Sequence, residues 1–209
     1  MTALRVQRGT FVALRADGTA LRWTTAAIDT PDPLVAAIDG VANAVEVTGD
    51  LEQVCFRDRA GDVRCIARSC AQGRCQDAPV GGVDVSGAIE IAVLHGVGCA
   101  RLTSGKVVCW KLHDRWRADI AGVDGAIAIG TDNEGFCAQP ADGGLLCWGR
   151  EPPRRVLPAG SLTGRFVGGV DGCAVQRDRR AVCWGHNTGG RLGDGSVLHL
   201  DMPAAVPGL

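Results

Sequence analysis

Cysteine is the residue with the most chemistry to offer in this 209-residue chain, which holds ten of them. Eight fall into four pairs of identical spacing, each ten positions apart: Cys55 and Cys65, Cys99 and Cys109, Cys137 and Cys147, Cys173 and Cys183. Such pairs can be redox couples, halves of metal sites, or staples. A metal needs its thiolates to converge on one point, which pairs held in separate repeats cannot do. Cross-strand disulfides are the favoured reading; reduced thiols packed as small hydrophobes are the alternative. Cys70 and Cys75, in "SCAQGRCQD", lie outside the pattern and read as a small disulfide loop. A zinc site shared with Cys55 and Cys65 is the weaker option, because C-x4-C lacks the usual knuckle spacing.

Other chemistry is sparse. His95, His113, His186 and His199 are scattered without metal-ligand spacing, and no Ser/His/Asp or Cys/His arrangement stands out. The stretch "GHNTGGRLGDG", 185–195, has the glycines of a phosphate loop but neither its G-K-[ST] ending nor a following apolar helix, so it reads as turns in a crossover between repeats. No catalytic residue, metal site or cofactor is expected.

The elements that carry the cysteines are legible. Within each pair, short apolar runs such as "VVCW" and "LLCW" flank a turn signal: "RAG", "TSG" or "ADG". A three-residue loop ending in glycine fits a type I turn closed by a left-handed residue. Gly18, Gly61, Gly105 and Gly143 hold that position, whereas the fifth hairpin has Arg179, so its turn should differ or be strained. Counting outward from loop 103–105 puts Cys99 opposite Cys109 at a non-hydrogen-bonded pair, where Cα atoms lie about 4.5 Å apart. Ala100, Val108 and Trp110 then occupy the opposite face. A hairpin bridge of this loop length stabilises by at most about 3 kcal/mol.

The hairpins recur. Val12 and Arg22 stand where a fifth cysteine pair would be, with Trp23 following as Trp110, Trp148 and Trp184 do elsewhere. The repeat steps by roughly forty residues, the signature of an array or propeller. Each unit also has a β-like run before the hairpin ("AVEVTG", "AIEIAVLHG", "AIAIGTD") and an earlier, usually Pro-containing segment. These readings give an all-β chain, a five-bladed propeller of four-stranded blades forming a single domain over 1–209. The chain opens without the first type of segment and ends on an extra one at 202–209, so the C-terminal strand is expected to complete the first blade.

At these motifs the sequence resembles the regulator of chromosome condensation repeat family, in a cysteine-rich bacterial form. That family's repeat runs approximately G-x-x-H-[ST]-C-A-L-x-x-D-G-x-V-x-C-W-G-x-N-x-x-G-Q-L-G-D-G followed by P-x-x-V. The last unit, "CAVQRDRRAVCWGHNTGGRLGDGSVLHLDMPAAVPGL", matches it best. The repeat's His is replaced throughout, by Thr10, Gln53, Val97, Gly135 and Asp171, and Arg191 stands for its Gln. The name-giving members have seven blades, and their exchange-factor activity does not carry over to these short repeats.

Composition bounds the function. The formal charge is −1, which argues against nucleic acid or an anionic membrane as partner. No apolar run is long enough to span a bilayer and the start shows no signal peptide, yet ten cysteines favour an oxidising, extracellular or periplasmic setting. The crossovers are long and basic and share a rim with acidic loops bearing Asp50, Glu52, Asp132, Glu134 and Asp171. A monomer that binds a protein or carbohydrate non-catalytically through that rim is the leading reading, with Lys111, His113, Arg115, Trp116, Arg150, Arg154 and His186 as candidate contacts. The resemblance implies an exported enzyme inhibitor as one alternative. A propeller hydrolase or lyase, with carboxylates or His gathered at the channel mouth, is the other.

Overall fold

The computed structural model describes residues 3–7, 10–24, 35–50, 52–71, 74–113, 115–132, 134–169 and 171–208. Among them there is no helix. Five antiparallel sheets follow in chain order, each built as a propeller blade. The first comprises β1 (Ala3–Gln7), β2 (Thr10–Leu14), β3 (Ala20–Thr24) and β4 (Ala36–Ala37). The second comprises β5 (Ala44–Gly49), β6 (Gln53–Asp58), β7 (Val63–Ala71) and β8 (Arg74–Asp77), with β9 (Gly81–Gly82) also on β7. The third holds β10 (Ala88–Leu94), β11 (Val97–Leu102), β12 (Val107–Lys111) and β13 (Trp116–Asp119). The fourth holds β14 (Ala126–Thr131), β15 (Phe136–Pro140), β16 (Leu145–Trp148) and β17 (Arg154–Leu157). The fifth has β18 (Asp171–Val175), β19 (Ala181–Gly185) and β20 (Leu200–Ala205), extended on the β18 side by bridges at Leu162–Gln176 and Val167–Cys173.

The strand order corrects one expectation. The C-terminal strand β20 pairs with β19 and so completes the fifth blade, while the first blade has its own last strand, β4 on β3. The physical reason is local: after each hairpin the chain folds back onto the open edge it has just made, pairing backbone groups that would otherwise stay exposed. The repeat therefore begins with the run before the hairpin and ends on the Pro-containing segment, one strand out of phase with the reading from sequence. Likewise "GHNTGGRLGDG" lies in the β19–β20 connection inside one blade, not between blades.

The hairpin arithmetic holds. Cys55, Cys137 and Cys173 sit directly opposite Cys65, Cys147 and Cys183. All four pairs, Cys99–Cys109 included, are disulfides with Cα atoms 4.0–4.1 Å apart. The main chain sets Cys70 opposite Cys75 across β7 and β8, but their side chains lie outside the described residues. At the turns, Asp58 N–H donates to the Asp62 carbonyl (3.0 Å) and Gly61 N–H to the Asp58 carbonyl (3.2 Å), with Gly61 at φ 89°. Arg179 adopts the same left-handed conformation (φ 67°) in the same hydrogen-bond pattern, so the fifth turn keeps its geometry at the cost of strain.

The chain divides into two compact units: Met1–Thr103 with Val108–Ala118, and Ser104–Val107 with Asp119–Leu209. Inside each, one face of a hairpin carries the disulfide and the other the tryptophan, as alternation requires. In the first unit Cys55 and Cys65 share an apolar cluster with Val63, Ile91 and Trp110. In the second, Cys137 and Cys147 share one with Leu145, Phe166 and Trp184. Burying a side chain such as Leu14 or Leu145, both wholly enclosed, stabilises by about 1.5–3 kcal/mol. Consecutive sheets are also joined through main-chain atoms. The Gly18 and Gly61 carbonyls accept from Ala44 and Ala88 N–H (3.1 and 3.0 Å) in the first unit. The Gly105 and Gly143 carbonyls accept from Ala126 and Leu162 N–H (3.0 and 2.8 Å) in the second.

Candidate functional site

Within the second unit, the β14–β15 loop, β17 and the β19–β20 crossover line a small open cleft. Its lining includes Asp132, Glu134, Arg154, Trp184, His199 and Asp201. Each wall has a local cause. Asp132 Oδ1 accepts from Glu134 N–H (3.0 Å) and Gly135 N–H (2.8 Å), folding the loop back on itself and setting Glu134 at its exposed tip. Asp132 Oδ2 accepts from the Trp184 indole N–H at 3.3 Å, which ties the loop to the fifth sheet. A Cβ at Gly172, opposite Trp184, would run into the indole, so glycine there lets the ring lie flat on the strand.

One buried side chain organises the crossover. Asn187 is fully enclosed and left-handed at φ 51°. Its N–H donates to Asp171 Oδ1 (3.1 Å). Its Nδ2 donates to Asp194 Oδ1 and to the Ser196 carbonyl (both 3.1 Å), and its Oδ1 accepts from Leu192 N–H (2.9 Å). Asp194 in turn accepts from the Ser196 N–H and hydroxyl, both 2.9 Å, and these bonds hold its carboxyl below the usual aspartate range. Leu192 is buried beneath the loop. At the tip, Val197 and Leu198 are each 69% exposed. The next residue turns back into the cleft: His199 Nε2 lies 2.8 Å from Asp201 Oδ1 and 3.5 Å from Glu134 Oε1. The His186 ring stands edge-on to His199 with centroids 5.5 Å apart. Arg154 donates to Met202 Sδ and to the Asp201 carbonyl, both at 3.4 Å.

Of the residues singled out from sequence, Arg154 lines this cleft and His186 stands beside it against His199. Arg150 is exposed on the β16–β17 connection. Lys111, His113, Arg115 and Trp116 are all exposed on the β12–β13 crossover of the first unit, with Trp116 at 42% and Arg115 left-handed at φ 50°. Sequence reasoning missed the grouping of Glu134, His199 and Asp201. Its only available signal was that acidic loops and crossovers share a rim, which is how Glu134 and His199 meet.

No family model matches the chain, and no curated protein sequence matches it. Solved structures do. Prp20p from Saccharomyces cerevisiae, studied for its binding to Gsp1p and histones, superposes with a TM-score of 0.75 at 12% identity, over 99% of this chain and 65% of its own. The same yeast RCC1 (Prp20) bound to Kap60 gives 0.74 at 12% identity, over 99% and 63%. Human WBSCR16 gives 0.70 at 16% identity, over 96% and 65%. The fold is thus the β-propeller of regulator of chromosome condensation repeats, and the chain spans about two thirds of the length of these structures.

Proposed function

We propose that this chain is a non-catalytic interaction protein that seats a protein partner on the crossover rim of its second unit. The observation that carries the reading is the 186–199 crossover. Its backbone is held by buried Asn187, while Val197 and Leu198 project into solvent beside a charged cleft. A loop already ordered before binding loses little entropy on association, and adjacent apolar tips flanked by charge suit an interface core with a polar rim. The protein partners of the solved relatives, Gsp1p, histones and Kap60, support the general class without naming a partner here. The cleft lining holds no Ser, Thr or free thiol for a hydroxyl or thiol nucleophile; its carboxylates and imidazole are the groups that the alternative reading, a propeller hydrolase or lyase, would use. Four disulfides among the described cysteines support an oxidising compartment, extracellular or periplasmic, in which an enzyme inhibitor would be one form of the same activity.

The test places a photo-crosslinking residue at position 198 and, as control, at exposed Val35 of the first unit. A specific protein adduct from position 198 that disappears when V197D is added is expected. Equal adducts from both positions, or an adduct at 198 that persists with V197D, would overturn the reading.

A further inference from the structure

We infer that Glu134, His199 and Asp201 form a binding site for a single divalent transition-metal ion of the Zn²⁺ type. The three groups each offer one ligand atom, and all three atoms lie within 4.8 Å of one another. Tetrahedral ligands at zinc bond lengths are separated by about 3.4 Å. The observed 3.5 Å between His199 Nε2 and Glu134 Oε1 already suits that, and the 2.8 Å to Asp201 Oδ1 needs to open only slightly. One imidazole nitrogen with two carboxylates is a borderline donor set, suited to zinc; calcium would require six or more oxygens.

The surroundings agree. Asp132 adds a third negative charge behind the triad, and its oxygens are committed to the loop backbone and to Trp184. The nearby cation, Arg154, directs its guanidinium to a carbonyl and a thioether. His186, edge-on to His199, limits how the liganding ring can turn. The remaining coordination position would face the open cleft, so the ion would keep a water or an exchangeable ligand. Because Glu134 belongs to the β14–β15 loop and the other two ligands to the crossover and the start of β20, the ion would tie these segments together. The inference stands apart from the partner reading, since it concerns other side chains.

The experiment titrates the untagged, fully oxidised chain with Zn²⁺ against a chromophoric zinc indicator, after mass measurement shows no free thiol. One ion per chain at micromolar affinity or tighter is expected, with Mg²⁺ in millimolar excess failing to displace it. H199A should weaken binding at least tenfold, as should E134Q/D201N, whereas H95A/H113A should leave it unchanged. All of these side chains are exposed or partly so, and circular dichroism checks that each variant folds. As a second readout, Zn²⁺ should raise the Tm of the unaltered chain but not that of H199A. No binding by the unaltered chain, unchanged affinity in H199A, or loss of binding in H95A/H113A would each overturn the assignment.

Discussion

The junction of the second and third sheets and that of the fourth and fifth are built from the same parts but differ in their polar contacts. In each, a buried disulfide of one hairpin shares an apolar cluster with the tryptophan of the next, and a glycine lies under the indole: Gly98 under Trp110, Gly172 under Trp184. In each, a loop aspartate accepts from two main-chain N–H groups, Asp50 as Asp132 does. The second carboxylate oxygen then diverges. Asp132 Oδ2 takes the Trp184 indole N–H, whereas Asp50 Oδ2 takes the Gly96 N–H at 2.8 Å. The Trp110 N–H is left buried without a protein partner, and so is the amide of nearby Gln53. Apolar packing is what the hairpin spacing replicates; polar contacts depend on loop residues that vary between units. The junction with satisfied polar groups is also the one that carries the cleft.

The largest expected effect probes what the two junctions share. C55A/C65A and C137A/C147A should each cost about 2–3 kcal/mol in urea unfolding, since both bridges close loops of equal length. Costs differing by more than about 1 kcal/mol would break the equivalence. A smaller effect probes what differs. W110F and W184F remove the same volume, but only W184F strands an acceptor, so it should cost about 1 kcal/mol more. Equal losses would mean that the Asp132–Trp184 bond contributes nothing net.

The smallest effect is acid loosening. Among the described residues, four aspartates are held below their ordinary range. Asp17 is held by the Thr19 hydroxyl, Asp142 by the Gly144 N–H and Arg155, Asp178 by the Arg180 side chain, and Asp194 by the Ser196 N–H. A depressed folded-state value means stability that is full above the unfolded aspartate pKa of about 4 and lost as pH falls through the lower folded value. Only Asp17 belongs to the first unit. Hydrogen exchange just below pH 4 should therefore rise more in the turns of the second unit; an equal rise in both would remove this asymmetry. All four carboxylates are exposed or nearly so, which keeps the effect modest.

What could be read from the sequence was what local geometry decides. The pairing of Cys137 with Cys147 follows from counting residues outward from a tight turn, and the opposite facing of Trp148 follows from strand alternation. The partner of the last strand did not follow. "MPAAVPGL" can add to any open edge, and only the fold shows it on β19. The turn at Arg179 was anticipated as altered or strained, and strain without alteration is the outcome because the hydrogen bonds override the preference for glycine. The cleft was legible only as a rim. Glu134 and His199 lie far apart in the chain, and no spacing rule connects a loop tip to the end of a crossover.

The carbonyls of Gly18, Gly61, Gly105 and Gly143, each accepting from a main-chain N–H of the following sheet, have a consequence for how such a chain can change over generations. A clasp made of peptide groups asks for glycine at the carbonyl, because a Cβ at Gly18 or Gly61 would run into the backbone of the next sheet, but for little else in the way of side chains. A duplicated unit would thus inherit its attachment to the next copy at once, and substitution elsewhere could then proceed far without loosening it. That is one physical route to a chain that superposes on the yeast propeller while sharing about one residue in eight with it.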